Sequence, residues 1–215
     1  MGLLFLREIS RREPNGVRVA VQGYYDRKRS GWIRNEGLGL VHIYYGCGVG
    51  KTTRAIGLAV RAAGAGLCVD FVQFMKSGNS GEVVILEEIP NIHYWCAGKH
   101  PFILSKGPEK IHYEHAAKAL RYAFEATENE TELLICDEIL DTILFGLLQK
   151  KQILRLIEKC KNRVELVLTG RDAPPEFVEL ADYVTEFLDV KHPCKRLAYP
   201  SSHGRCELVP LLRGY

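Results

Sequence analysis

No apolar run in the 215-residue chain approaches the roughly 20 residues that a membrane-spanning helix needs. The longest clean apolar stretches are strand-sized, so no membrane partner is expected. C-x-x-C pairs are also missing: Cys47, Cys68, Cys96, Cys136, Cys160, Cys194 and Cys206 stand apart, three of them inside apolar strand patterns. A reduced, cytoplasmic compartment fits them better than a disulfide framework. Nor is there a strong excess of one charge. The formal net charge is +3, and residues 1–36 alone hold 8 Lys and Arg against 4 Asp and Glu, leaving 21 against 22 in residues 37–215. A near-neutral body without a basic, aromatic stripe speaks against nucleic acid as a partner. Internal repeats and low-complexity tracts are absent.

The length suits one α/β domain with a full core, and is short for two. Residues 1–36 lack sustained periodicity, mix both charge signs and carry turn residues (Pro14, Asn15, Gly16, Gly23, Gly31). The apolar run Gly2 to Leu6 is too short for a signal peptide, and four acids fit a transit peptide poorly. An appended N-terminal arm is expected.

From Leu38 onward strand-like and helix-like runs alternate. The strands are expected at 38–45, 67–74, 92–95, 132–136, 164–169 and 183–187, the helices at 51–63, 81–89, 108–127, 148–161 and 175–180. This order predicts an α/β fold with a mostly parallel sheet and helices on both faces. Ligands of such sheets bind at the carboxyl ends of the strands, so chemistry is sought in the residues that follow each one.

The first strand runs into Tyr45-Gly46-Cys47-Gly48-Val49-Gly50-Lys51-Thr52-Thr53. A Gly-rich turn between a strand and a helix that begins Lys-Thr-Thr is a triphosphate cradle. Backbone N–H groups converge on phosphate oxygens, the helix N-terminus adds partial positive charge, and Lys51 supplies a full one. The common form G-x-x-x-x-G-K-[ST] would require Gly at position 45, where this chain has Tyr. Closure by Gly46, Gly48 and Gly50 therefore predicts a loop of different shape, in which phosphates need not lie as in an ordinary ATPase.

After the fourth strand come Asp137 and Glu138, placed to hold Mg²⁺ beside the hydroxyl of Thr52, because Mg²⁺ takes few protein oxygens along with waters and phosphates. Acids at a helix N-terminus are the plainer alternative. Lys76, after the second strand, either faces phosphates or is solvated. Arg171, after the fifth, either meets a phosphate or carboxylate or pairs with Asp172. Trp95 and Phe102 flank the loop after the third strand, where aromatics either cover a flat ligand or anchor the loop.

Taken in order, the phosphate loop, Arg61, V-Q-F-M-K (72–76), S-G-E (80–82), G-K-x-x-F-I (98–103), D-E-I (137–139), T-G-R-D-A-P-P-E (169–176), E-L-A-D-Y-V-T-E (179–186) and V-K-H-P (190–193) resemble the P-loop type of ATP:corrinoid adenosyltransferase across residues 37–193. The resemblance implies a RecA-like P-loop NTPase fold. It also implies transfer of the 5′-deoxyadenosyl group from ATP to Co(I) of a corrinoid, cobalamin or a precursor, with release of triphosphate. Mg²⁺ is then a cofactor and ATP a co-substrate, a reduced flavoprotein is the implied electron donor, and a homodimer is allowed.

Carried over by position, Gly46, Gly48, Gly50, Lys51, Thr52 and Thr53 cradle phosphates; Cys47 and Val49 within the loop, and Arg171 after the fifth strand, are counted with the cofactor-binding residues. Thr52, Glu138 and Asp137 hold the metal, Arg61 meets the nucleoside end, and Phe102 faces the corrin. Lys51, Glu138 and Phe102 are the expected catalytic residues. In the family ATP sits reversed, which accounts for the altered loop. Three departures stand out: Val49 where Lys is usual, Cys47 for Asn, and an atypical C-terminal tail, residues 194–215. The last two readings kept beside transfer are a nucleotide or corrinoid carrier of the same fold and a RecA-like ATPase.

Overall fold

The computed structural model describes residues 39–103 and 106–191. The expected arm (1–36) and the atypical tail (194–215) lie outside the described residues. Six strands form one sheet: β1 (Val41–Tyr45), β2 (Val69–Gln73), β3 (Ile92–Cys96), β4 (Leu133–Asp137), β5 (Glu165–Thr169) and β6 (Tyr183–Glu186). Their order is β3-β2-β4-β5-β1-β6, and every pairing is parallel. The helices are α1 (Lys51–Gly64), α2 (Gly81–Glu88), α3 (Lys110–Ala126), α4 (Ile139–Leu144), α5 (Lys150–Cys160) and α6 (Pro175–Leu180). No described helix is long and apolar enough to cross a membrane.

The alternation along each strand divides the core in two. Tyr44, Val69, Phe71, Leu133, Ile135 and Val167 point to the face covered by α1 and α2; Ile43, Val72, Leu134, Cys136, Leu166 and Leu168 point to the face covered by α3, α5 and α6. Central β2 and β4 are buried at every position, as a sheet covered on both faces requires. Ala55, Ala59, Ala62 and Ala63 give α1 a stripe of small residues against the sheet. In α5 Ile153, Leu156, Ile157 and Cys160 repeat at helical spacing.

The expected elements are present with shifted ends. Helices α3 and α5 each begin two residues later than expected, because Glu109 and Gln149 form capping boxes with His112 and Gln152. β1 begins three residues later than expected, since the N–H groups of Gly39 and Leu40 go to the Glu165 carboxylate. The short α4 was not expected at all: at six residues it spans less than two turns, too little to show helical periodicity.

Candidate active site

The carboxyl ends of β1, β2, β4 and β5 meet at one edge of the sheet. The loop after β1 is built around two close approaches. A Cβ on Gly46 would lie 2.4 Å from the Phe187 carbonyl oxygen, and one on Gly48 2.7 Å from the Phe187 carbonyl carbon. Gly46 also has φ +111°, a conformation that L side chains rarely adopt. These two glycines are therefore also required by the chain at Phe187, which passes close to them. The Gly46 N–H donates to Arg171 O (3.1 Å), that of Gly48 to Phe187 O (2.8 Å), and that of Val49 to the Asp189 carboxylate (3.3 Å).

Gly50, at φ +109°, is the N-cap of α1, and the first-turn N–H groups of Lys51, Thr52 and Thr53 have no intrahelical partner by helix geometry. N–H groups in such a first turn are what a helix N-terminus offers to an anion. Lys51 folds back over it, donating to Gly46 O at 2.7 Å and Gly48 O at 2.8 Å. Burial lowers its pKa, with Asp141 opposing.

Across the sheet edge, fully buried Asp137 is the hub. It accepts hydrogen bonds from Thr52 Oγ1 (3.0 Å), Thr169 Oγ1 (2.8 Å), Lys76 Nζ (2.9 Å) and Gln73 Nε2 (3.3 Å). β5 lies between the loop strand and the acidic strand, so Thr169 at its end can bridge to Asp137 and also accept the Glu138 N–H at 2.8 Å. Glu138 sits in the left-handed region at φ 62°, a conformation costing on the order of 1 kcal/mol or more for a non-glycine residue. Burial pushes its pKa up to about 7, Lys76 opposing and Asp137 and Asp141 adding to the rise. Gln73 is fixed in turn by the Tyr94 hydroxyl, which donates to Gln73 Oε1 at 2.7 Å.

Among the described residues no group of three or more His, Cys, Asp and Glu is arranged to hold a metal alone. The oxygen set Thr52, Asp137 and Glu138 nevertheless suits Mg²⁺, which fills its remaining positions with water and phosphate. That these oxygens converge on a cation is visible in Lys76, whose ammonium lies 3.2 Å from Thr52 Oγ1 and 3.9 Å from Glu138 Oε1. Thr52 and Asp137 are the more closely joined pair.

The structure resolves the two aromatics of the loop after β3 differently. Trp95 stacks on Tyr122 (5.1 Å, 18°) against the core, whereas Phe102 is 72% exposed. The loop is pinned behind Phe102. Ser77 Oγ donates to His100 O and accepts the His100 N–H, while the His112 ring reaches Pro101 O at 3.0 Å. His100 and His115 approach at 3.2 Å, and His100 Nε2 is buried with no hydrogen-bond partner among the described residues. Burial, then His112 and His115, pull the His100 pKa down to about 4; burial also lowers that of His115.

A histidine whose folded pKa is depressed adds nothing above its unfolded value near 6.5 and costs stability as the unfolded chain takes up the proton below it. The urea midpoint is therefore expected to fall as pH drops from about 6.5 toward 4, and His100→Gln to flatten that slope. An unchanged slope would mean that other groups set it.

Of the expected site residues, Gly46 to Thr53, Asp137, Glu138 and the Arg171 backbone come together. The Arg171 side chain is 56% exposed and lies 3.9 Å from Asp141, not on Asp172, whose carboxylate caps the Ala173 N–H. Arg61 is exposed in the last turn of α1, ten residues and so about 15 Å along the helix axis from Lys51. Three residues were not foreseen. Thr169 could have been noticed as the last residue of a strand before glycine. Gln73 stands likewise at the end of β2. Asp141, buried and accepting the Arg171 N–H at 2.6 Å, was hidden with α4.

A Gly-rich loop at the head of α1, with its Thr hydrogen-bonded to a buried Asp one strand beyond β5, defines the RecA-like class of phosphate-loop α/β proteins. Within that class the chain belongs to the ATP:corrinoid adenosyltransferase BtuR/CobO/CobP family, whose sequence pattern matches residues 37–204. It is 30% identical to a corrinoid adenosyltransferase of Pseudomonas aeruginosa, over 73% of this chain and 78% of that one. It is 26% identical to the corrinoid adenosyltransferase of Escherichia coli K12, over 72% and 79%. A Nostoc protein described as uncharacterized, all2391, is 26% identical over 77% of this chain and 48% of its own length.

Proposed function

We propose that the protein transfers the 5′-deoxyadenosyl group of ATP to Co(I) of cobalamin or a precursor and releases triphosphate, in the making or salvage of adenosylcobalamin. The observation that carries this reading is the Thr52–Asp137 hydrogen bond beside Lys51, at the loop of a chain in this family. In the reaction the cobalt electron pair forms the Co–C5′ bond, the C5′–O bond breaks, and its pair leaves on triphosphate. Co(I) is a strong nucleophile, so the protein's work is to align C5′, receive the leaving charge and keep water out. Lys51 would give up its loop carbonyls for the triphosphate, and the N–H groups of Thr52 and Thr53 would meet the same oxygens. Thr52, Asp137 and Glu138 would hold Mg²⁺, which supplies charge neutralisation on the phosphates when bound. Arg171 would face the phosphate chain, and Arg61 a nucleoside only after rearrangement. A cytoplasmic setting, a reduced flavoprotein donor and a homodimer complete the reading.

Phe102 would press on the corrin. It is 72% exposed, so Phe102→Ala should cost well under the ~3–5 kcal/mol of a core Phe→Ala change. Loss of its apolar contact, ~1.5–3 kcal/mol, should cut kcat/KM for the corrinoid by about ten- to a hundredfold while ATP binding holds. The assay is spectral: chemically reduced cobalamin, ATP and Mg²⁺, followed to the light-sensitive Co–C product with wild type and variant. Equal turnover would remove Phe102 from the corrin face, and no product with wild type would remove the proposed reaction.

One observation favours the carrier reading. The Asp189 carboxylate sits on the Val49 N–H, putting a negative group at a loop whose position 49 is neutral. A carrier would bind ATP or corrinoid in that assay and yield no product.

A further inference from the structure

Lys76 leaves the end of β2 and turns its ammonium into the oxygen set assigned above to a metal. It lies 2.9 Å from Asp137 Oδ2, 3.2 Å from Thr52 Oγ1 and 3.9 Å from Glu138 Oε1, with its side chain 23% exposed. Asp137 is fully buried, and its other acceptor positions are taken by Thr169 and Gln73. A divalent ion bound about 2.1 Å from the Asp137 and Thr52 oxygens would stand within a few ångströms of this ammonium, and two cations so close repel strongly.

We infer that Lys76 is a displaceable counter-ion: it occupies the cation position of the nucleotide-free protein, excludes divalent metal from it, and moves onto the phosphates when metal and nucleotide enter together. The tethered ammonium has no translational freedom to lose, so it outcompetes dilute metal on its own. A nucleotide reverses the balance because its phosphates offer further oxygens to the metal and a second anionic partner to the lysine. Lys76 is thus a positioning residue before loading, keeping the Thr52 hydroxyl and Asp137 in register. At dilute metal, binding becomes conditional on nucleotide, and without nucleotide only excess metal displaces the ammonium.

The inference rests on the proposed use of this site only for the source of the phosphates, and its test needs neither ATP nor corrinoid. Mn²⁺, a hard cation suited to the same oxygens, is titrated into nucleotide-free protein and its free fraction read by electron paramagnetic resonance. Lys76→Met should lower the Mn²⁺ Kd at least about tenfold, whereas Lys76→Arg, which keeps the charge, should stay near wild type. An equal or higher Kd in a folded Lys76→Met protein would overturn the inference. A second reading uses the wild-type chain alone. Trace acetic anhydride labelling of Lys76, mapped by mass spectrometry, should rise several-fold when excess Mn²⁺ is added without nucleotide, and an unchanged yield would likewise overturn it. Either failure would leave the adenosyl-transfer assay free to succeed.

Discussion

Lys51→Ala should lower adenosyl transfer by about a hundredfold or more in a protein that still folds. Position 49 is Val, so Lys51 carries the only full positive charge among residues 46–53. Its ammonium already lies over the loop, within 2.8 Å of two of its carbonyls, and needs only to exchange them for phosphate oxygens. Losing one preorganised contact to developing charge typically costs ~3 kcal/mol of transition-state stabilisation. The stability cost is smaller, about 1–2 kcal/mol, because the two carbonyls it leaves are near enough to solvent to be rehydrated. Single-turnover rates with reduced cobalamin, set beside a urea melt of the same variant, separate the two effects. A folded variant with near-normal turnover would show that the loop charge does not act on the leaving group.

Asp137→Ala should strike the fold and the site together. Four donors converge on this carboxylate from β2, β5, α1 and the chain after β2. Its removal leaves the Lys76 ammonium with only the longer 3.9 Å contact to a carboxylate, that of Glu138, and takes an acceptor from Thr52, Thr169 and Gln73. Breaking a buried pair on one side costs about 3–5 kcal/mol; with Lys76 still 23% exposed, the lower end is expected. Asp137→Asn keeps an acceptor for Thr169 and should recover much of the stability while leaving transfer abolished. If both variants melt like wild type, the hub is not structural, and if Asp137→Asn keeps full turnover, the carboxylate is not the metal's.

Much of this arrangement was legible because its cues are local. Each strand of β1 to β6 announces itself as a short apolar run, and the residues that follow those runs are the ones that meet at the sheet edge. Asp137 and Thr52 could be paired by their positions alone. What could not be read depends on side chains arriving from elsewhere. Lys76 was left between phosphate and solvent because only folding brings Asp137 and Thr52 to it. Gly46 and Gly48 looked like bare phosphate-facing positions, whereas the backbone at Phe187, some 140 residues on, fills the space their side chains would need. Asp141 is hidden with α4, whose six residues are too few to show a helical period. Arg61, expected at the nucleoside end, lies in the last turn of α1, about 15 Å along the helix axis from Lys51.

The most direct measurement is the identity of the phosphate product. With wild-type protein, Mg²⁺ and ATP, triphosphate should appear only when chemically reduced corrinoid is present, in one-to-one proportion with the Co–C product. Orthophosphate released at the same rate with and without corrinoid, and no Co–C product, would contradict the account.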